Sequence, residues 1–389
     1  MGELFEITVS EAATVSEAAT VSEAATVSEA AGMVHFVVPD AIDDPQRVSG
    51  GNTYDRHVRD GLRSIGWDVR MVPIVEGGLL AAQVLAELPD GALVFIDGLI
   101  AVRESVALAV QSPRLRMIVL AHMVDAVALT WADRVIATSE WTRSELISLS
   151  LVHPEDIVTA HPGADPATMT QVSLAGGRLL CVGVVAPHKG QDVLIGALTH
   201  LTGVGDWTCT FVGSVTTAPD FVADLRRTVR DAQLATRVNF AGTLEGAALD
   251  AAYGRADLVV VPSRTESFGM VIAEAFARGI PVIASHVGGI PEAVSSSGAG
   301  MLVAADDAEA LKTALREWWV SEAVRTELTA AAVEARATVR SWRSTVSRIE
   351  SVLRDVSQSR DVSQSRDVSQ SRDVSRIRDV SRSRTAVWA

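Results

Sequence analysis

From Met33 onward, short β-branched apolar runs alternate with longer amphipathic stretches, the pattern of a parallel sheet wound with helices. The first set of predicted strands is 34–39, 67–74, 93–97, 116–122, 134–139 and 156–160. The stretch HPGADPATMTQVSLAGG, residues 161–177, is rich in Pro, Gly and small polar residues and reads as an interdomain linker. A second set follows at 178–185, 207–214, 238–243, 258–263, 281–285 and 301–304. The pattern therefore predicts an α/β protein of two facing, Rossmann-like, doubly wound domains. In that architecture a ligand lies beyond the carboxyl ends of the strands, here in the cleft between domains.

The two ends do not share this pattern. Residues 8–31 are four tandem copies of TVSEAA, and from Asp355 to Arg384 the chain runs as five hexads of the DVSQSR type. A six-residue period matches neither 3.6 nor a heptad, so neither tract builds a continuous apolar seam. The expected division is a repeat leader over 1–32, disordered or frayed helix, and an amino-terminal, acceptor-side domain over 33–165. A carboxyl-terminal nucleotide-sugar-binding domain then covers 166–335, a helix over 336–354 crosses back to the first domain, and a disordered repeat tail occupies 355–389. The last helical stretch is expected as one helix from about Glu322 to Leu353.

The 389 residues carry 34 basic and 48 acidic side chains, a net charge of −14. Six acids fall in residues 1–32, and the tail has two more arginines than aspartates, so the middle stands at −10. That balance is poor for non-specific nucleic-acid binding, which needs clustered cations. No apolar run approaches the roughly 18 to 20 residues that span a bilayer. The acidic start MGELFEITVSEAA does not read as a secretory signal, so a cytoplasmic protein with at most peripheral membrane contact is expected. Cys181 and Cys209 each sit inside an apolar run and read as small buried hydrophobes rather than a disulfide or metal pair.

The most informative segment is PSRTESFGMVIAEAFARGIPVIASHVGGIPEAV, residues 262–294. It leaves a strand and opens a helix near Ser267. The amides of Gly269, Met270 and Val271 then lie in the first turn, at the positive end of the dipole, where they suit a diphosphate. Glu266 precedes this helix and Glu274 lies within it, separated by seven residues. A carboxylate in the second position can accept hydrogen bonds from ribose hydroxyls. Gly279 closes the helix. Ser49, Gly50, Gly51 and Asn52 are placed in a loop between the first strand and first helix, where glycine allows close approach to a ligand. His122 ends an apolar strand and points at the cleft, with a buried, hydrogen-bonded core histidine as the rival reading.

These residues carry a family resemblance. Residues 262–294 resemble the E-x7-E segment of retaining family 4 glycosyltransferases, which have the two-domain GT-B fold and use nucleotide-sugar donors. VSGGNTYDRHVRDGLRSIGWDV resembles that family's amino-terminal glycine loop and first helix, and LLCVGVVAPHKGQDVLIGAL its first carboxyl-domain strand, basic loop and helix. SEWTRSEL and HPGAD resemble its domain-junction segments. The resemblance implies catalytic roles for Glu266, Lys189 and His122. It implies donor binding by Gly50, Gly51, Asn52, Arg264, Phe268, Gly269, Met270, Val271 and Glu274, with no metal and no cofactor beyond the nucleoside diphosphate sugar as co-substrate.

One departure matters. The family writes its basic loop G-R-x-x-x-x-K-G, whereas this chain has Gly183, Val184 and then Lys189 and Gly190, so one cation is missing. Arg264 and His188 are the candidate replacements. The first helix adds Arg56, His57, Arg59 and Arg63, suited either to an anionic acceptor or to an exposed basic face. The acceptor is unknown. A non-catalytic or weakly catalytic nucleotide-sugar-binding protein is the alternative, motivated by Val184; a phosphorylase or epimerase on the same fold is a third reading. Phe211, Gly213, Phe240 and Gly242 are the candidate neighbours of the base.

Overall fold

The computed structural model describes residues 32–359 except 46, 76–79, 124–128, 151 and 296. The TVSEAA tract and all but the first residues of the DVSQSR tract lie outside the described residues.

Twelve strands form where the β-branched runs predict them. β1 (Gly32–Pro39), β2 (Trp67–Ile74), β3 (Leu93–Asp97), β4 (Arg116–Ala121), β5 (Arg134–Ala137) and β6 (Ile157–Thr159) make one parallel sheet in the order β2-β1-β3-β4-β5-β6. β7 (Arg178–Val182), β8 (Thr208–Val212), β9 (Val238–Gly242), β10 (Leu258–Val261), β11 (Val282–Ser285) and β12 (Gly300–Val303) make the other, in the order β12-β11-β10-β7-β8-β9. Strand order reverses beside β1 in the first sheet and beside β7 in the second, which makes these the two crevices where a ligand fits.

Helices cover both faces. The first domain has α1 (Gly50–Ser64), α2 (Leu80–Glu87), α3 (Gly98–Arg103), α4 (Ser105–Gln111) and α5 (Glu140–Ser148). The second has α6 (Gln191–Thr199), α7 (Pro219–Asp231), α8 (Gly246–Tyr253), α9 (Met270–Ala277), α10 (Ile290–Ser295), α11 (Ala308–Val320) and α12 (Glu322–Ala335), and the chain then runs into α13 (Trp342–Gln358). Alternate residues of β1 serve opposite layers: Val34, Phe36 and Val38 pack toward α1 and α13, Val37 toward α2, α3 and α4. Cys181 and Cys209 are buried and free, and burial pushes the Cys181 thiol up to about 12.

The single carboxyl-terminal helix expected over 322–353 is two helices broken at 336–341. There the chain crosses between domains: Arg336 donates to the Ala277 and Ala167 carbonyls, and the Ala164 amide donates to the Arg340 carbonyl. α13 then packs its Trp342, Val346, Ile349, Val352 and Leu353 into the core of the first domain. It continues four residues past the expected boundary at 354, because Val356 falls on the same buried stripe and keeps residues 355–358 helical.

Candidate functional site

The loops after β7 and β10 meet at the crevice of the second sheet. The first makes a turn at Pro187–Lys189 that ends on Gly190 with φ +65°, and a Cβ there would lie 2.0 Å from the Pro262 carbonyl oxygen, so only glycine lets the two loops touch. The Arg264 amide donates to the His188 carbonyl at 2.8 Å and joins them further. Lys189 Nζ thereby reaches Glu266 Oε2 at 2.6 Å, in a pair whose side chains are 26% and 15% exposed. Beyond Glu266, Gly269 at φ +92° is the N-cap of α9, and its carbonyl accepts from the Ile272 amide. The amides of Met270 and Val271 open the helix, where intrahelical acceptors do not exist. Glu274 follows within α9, and the Tyr253 hydroxyl donates to its Oε2 at 2.6 Å. Burial raises the Glu274 carboxyl above its ordinary range, while that hydrogen bond and Arg278 pull it back.

The opposite wall comes from the loops after β1, β3 and β4. Ser49 caps α1, its Oγ accepting from the Asn52 amide at 3.1 Å. His122, just past β4, places Nε2 3.0 Å from Asp55 Oδ1 on α1 and 3.2 Å from Asp97 Oδ2 at the end of β3. Both aspartates are buried, at 0% and 1% exposure. Asp97 Oδ1 also accepts from the amides of Leu99 and Ile100. Burial pushes Asp55 up to about 7, against the pull of His122. Burial would raise Asp97 as well, yet His122 and the Leu99 amide hold it below the usual carboxylate range. For His122, burial favours the neutral ring, but Asp55 and Asp97 outweigh it and carry the imidazolium up to about 10.

The two walls touch. A Cβ on Gly50 would lie 3.8 Å from the sulfur of Met270, and one on Gly51 would lie 3.5 Å from His122 Cδ2, so the starts of α1 and α9 and the imidazole border one cleft. Met270 itself packs against the core of the first domain. Arg56 Nη1 reaches Glu245 across the cleft at 3.5 Å. Glu292 of α10 accepts from the amides of Glu140 and Trp141 at the start of α5, at 2.9 and 3.2 Å, and also pairs with His161 in the crossover. Two opposed helix starts, one cation and a ring of carboxylates suit a phosphorylated, hydroxyl-rich ligand.

Gly50, Gly51, His122 and Met270 border this cleft; Gly269, Val271 and Glu274 belong to the same α9 segment as Met270, and Lys189 pairs with Glu266 on the loop that leads into it. Four details differ from expectation. The helix opens at Met270 rather than near Ser267, because the left-handed Gly269 starts it. Gly50, Gly51 and Asn52 form the first turn of α1 rather than a loop, and the Asn52 side chain donates through Nδ2 to the carbonyls of Ala41 and Arg47, tying down the segment before the helix. Phe268 is buried, its ring tilted against His161 at 5.8 Å between centroids. Arg264 does not offer a free cation: it is held by Asp192 at 2.7 and 2.8 Å, by Asp306 and by the Pro187 carbonyl. His188 is no substitute, since burial and neighbouring Lys189 lower its pKa.

The basic residues of α1 are also engaged within the chain. His57 stacks on Trp342 and sits 3.6 Å from Asp165, Arg59 pairs with Asp43 and Asp60, and Arg63 donates to the Val69 carbonyl. Of the proposed base neighbours, Phe211 is buried in the core behind the sheet.

Sequence reasoning missed Asp55, Asp97, Glu292, Tyr253 and the two acids on Arg264. Two of them left a signal: Asp55 shares the helical stripe of Val58 and Leu62, and Asp97 ends the apolar run LVFI, so each is an acid in a buried position.

Comparisons with known proteins fit this geometry. The chain is 34% identical over 234 residues to a D-inositol 3-phosphate glycosyltransferase of Mycolicibacterium gilvum, covering 56% of this chain and 51% of that protein. It is 30% identical over 301 residues to the protein of the same name from Mycobacterium marinum, covering 73% and 59%. The chain thus spans about half the length of the curated relatives it matches. Among solved structures, sucrose-phosphate synthase from Thermosynechococcus elongatus superposes with a TM-score of 0.69 at 21% identity, over 84% of this chain and 99% of that one. Anabaena HepE in complex with UDP-glucose gives 0.67 at 18% identity, over 83% and 99%. These two share the fold of paired Rossmann-like domains. Residues 176–335, which hold Lys189, Glu266 and Glu274, match the family model described as glycosyl transferases group 1.

Proposed function

We propose that this chain is a retaining glycosyltransferase that moves a sugar from a nucleoside diphosphate sugar to an acceptor hydroxyl. The observation that carries the reading is the approach of the α1 start to the α9 start between two Rossmann-like sheets, with the Lys189–Glu266 pair on the loops that lead into α9. The relatives named as D-inositol 3-phosphate glycosyltransferases support the reaction class, and neighbours solved with UDP and UDP-glucose support the donor class.

In this reading the diphosphate lies against the Met270 and Val271 amides, and Lys189 offsets the charge that grows on it as the glycosidic bond breaks. Glu274 keeps one oxygen on Tyr253 and offers the other to a ribose hydroxyl. Glu266 faces the donor sugar and is not a free nucleophile, because its Oε2 is bound by Lys189. The acceptor hydroxyl attacks from the face the phosphate leaves, and a phosphate oxygen takes its proton. The opposed lobes exclude water from the oxocarbenium-like state. The reaction requires no metal, the helix starts and Lys189 doing the neutralising.

A second reading, a nucleotide-sugar-binding protein with little or no turnover, is favoured by Val184 and by the neutralisation of Arg264. A thermal-shift screen of uridine, guanosine and adenosine diphosphate sugars identifies the donor by a rise in melting temperature. Nucleotide release is then measured with and without an inositol phosphate and other polyols. Stabilisation with no release under any acceptor supports the binding protein; no stabilisation by any donor refutes both.

A further inference from the structure

The loop after β7 carries Val184 where the resembled family has an arginine, and neither Arg264 nor His188 fills the gap. A diphosphate held by helix starts and one lysine, itself paired with Glu266, has few full positive charges to meet. Among the described residues, Arg56 at this cleft is engaged by Glu245, and His122 is a further group that can carry such a charge. His122 is 11% exposed at the side chain, its ring packs on Gly51 at the start of α1, and the next glycine, Gly50, touches Met270 at the start of α9. The groups that face this ring are Asp55 from α1, Asp97 from the end of β3, and the edge of Tyr54 at 5.4 Å between centroids. Both acids engage the same nitrogen, Nε2, at hydrogen-bond distance. One nitrogen shared by two carboxylate oxygens is a donor geometry, so Nε2 carries a proton.

Asp97 is held on both oxygens: one accepts two backbone amides and the other meets Nε2, which fixes its orientation. Asp55 Oδ2 is buried without a hydrogen-bond partner, which costs an ionised carboxylate more than a protonated one. Below about pH 7 a protonated Asp55, an ionised Asp97 and a protonated His122 form a neutral set whose one partly exposed member is the ring. Burial makes the acids unavailable to solvent while the ring edge reaches the cleft.

We propose that Asp55 and Asp97 are positioning residues that keep His122 an imidazolium, and that this imidazolium is the second cation of the diphosphate site, standing in for the arginine that Val184 displaces. The proposal rests on the donor reading above for the identity of the anion, whereas the protonation of His122 is independent of it. It is also specific to this chain's own residues: with an arginine at 184 the set would be redundant.

The first test is a pH titration of the imidazole nitrogens in ¹⁵N-histidine-labelled protein, with His122 assigned by loss of its signal in His122→Asn. Both nitrogens of His122 are expected to stay protonated from pH 6 to 9. In Asp97→Asn the titration is expected to move down by two units or more, with a smaller shift in Asp55→Asn, which also serves if Asp97→Asn fails to fold. A neutral His122 at pH 7.5 in the unaltered protein, a titration unmoved by either variant, or tight Zn²⁺ binding that displaces the Nε2 proton overturns the proposal. The second test is calorimetric binding of UDP, GDP and ADP. Asp97→Asn is expected to weaken binding at least twofold at pH 8, with a smaller loss in Asp55→Asn, and both are expected to recover most of it at pH 6, where the freed histidine recharges. Equal weakening at both pH values indicates lost packing and overturns the charge role. Failure of all three nucleotides to bind the unaltered protein refutes the donor reading, and with it the anion assigned to His122, even where the titration comes out as expected.

Discussion

Replacing Lys189 with alanine separates catalysis from stability by an amount that the structure fixes. The Lys189–Glu266 pair is short, 2.6 Å, but both side chains keep some exposure, 26% and 15%, so its loss from the resting fold costs about 1 kcal/mol or less. The same ammonium facing a departing diphosphate makes a charge-assisted contact that strengthens as the bond breaks, worth about 2–4 kcal/mol. Divided by 1.36 kcal/mol per decade, that is a loss of roughly 30- to 1,000-fold in kcat/KM. Deleting the lysine also leaves Glu266 bare beside the phosphates, which adds repulsion to the lost attraction. Lys189→Ala/Glu266→Gln should therefore be less impaired than the product of the single effects. The assay is initial-rate nucleotide release with the donor found by thermal shift, run beside a melting curve for each variant. A Lys189→Ala protein that keeps its melting temperature and loses less than threefold in kcat/KM would show that Lys189 does not meet the leaving group.

Arg264→Ala and Asp192→Asn should lower donor affinity by similar factors, because both release the strut that holds the 187–190 turn; a much larger effect of the arginine, measured by calorimetry, would mean that it meets the donor directly. Gly190→Ala should cost more than about 2 kcal/mol in denaturant unfolding, since it combines a left-handed φ of +65° with a contact at 2.0 Å. The pH dependence of stability follows from two groups. Asp55 holds in the fold a proton that the unfolded chain gives up near pH 4, so stability falls as pH rises from about 4 to about 7. The contribution of His122 is full below about 6.5 and is lost as pH rises through about 10. Melting temperature against pH should accordingly decline across pH 4–7 more steeply in the unaltered protein than in Asp55→Asn. Glu292 has the opposite sign: burial would raise its carboxyl, but His161 and the Glu140 and Trp141 amides hold it below its ordinary range. The stability it lends is present above about pH 4.5 and lost on acidification, and Glu292→Gln should remove that acid-side loss.

Backbone architecture was legible because the central runs, β3, β4, β10 and β11, are buried on both faces, which leaves a near-continuous apolar signature. The positions of Lys189, Glu266 and Glu274 were legible because they are set by spacing along one segment. What was hidden depends on which side chains meet across elements. Nothing in TSEWTRSEL or GGIPEAV says that Glu292 caps α5, because the contact spans two domains and over 150 residues. Arg264 looked like a free cation at a helix start, and its two acids, Asp192 and Asp306, come from elements 72 and 42 residues away. The break at 336–341 was invisible for a related reason: α12 and α13 both have acceptable helical sequences, and it is the crossing between domains that interrupts them.

In the proposed reading, the same contacts decide how a chain of net charge −14 would hold a dianionic group. Each cation near the cleft has its own carboxylate: Arg56 has Glu245, Arg264 has Asp192 and Asp306, Lys189 has Glu266, and His122 has Asp55 and Asp97. The resting cleft is thus close to neutral, and a phosphate entering it must compete with acids already in place. Where the acid is fully buried, as Asp97 is, it cannot retreat, and it goes on favouring the charged form of its partner. Where the acid is at the rim, as Glu266 is, the ligand can divide the pair, with the lysine turning to phosphate and the carboxylate to sugar hydroxyls. In the proposed reading, exchange of partners at Lys189 couples donor entry to the orientation of Glu266, so that one ion pair both screens the site and aligns the carboxylate toward the sugar.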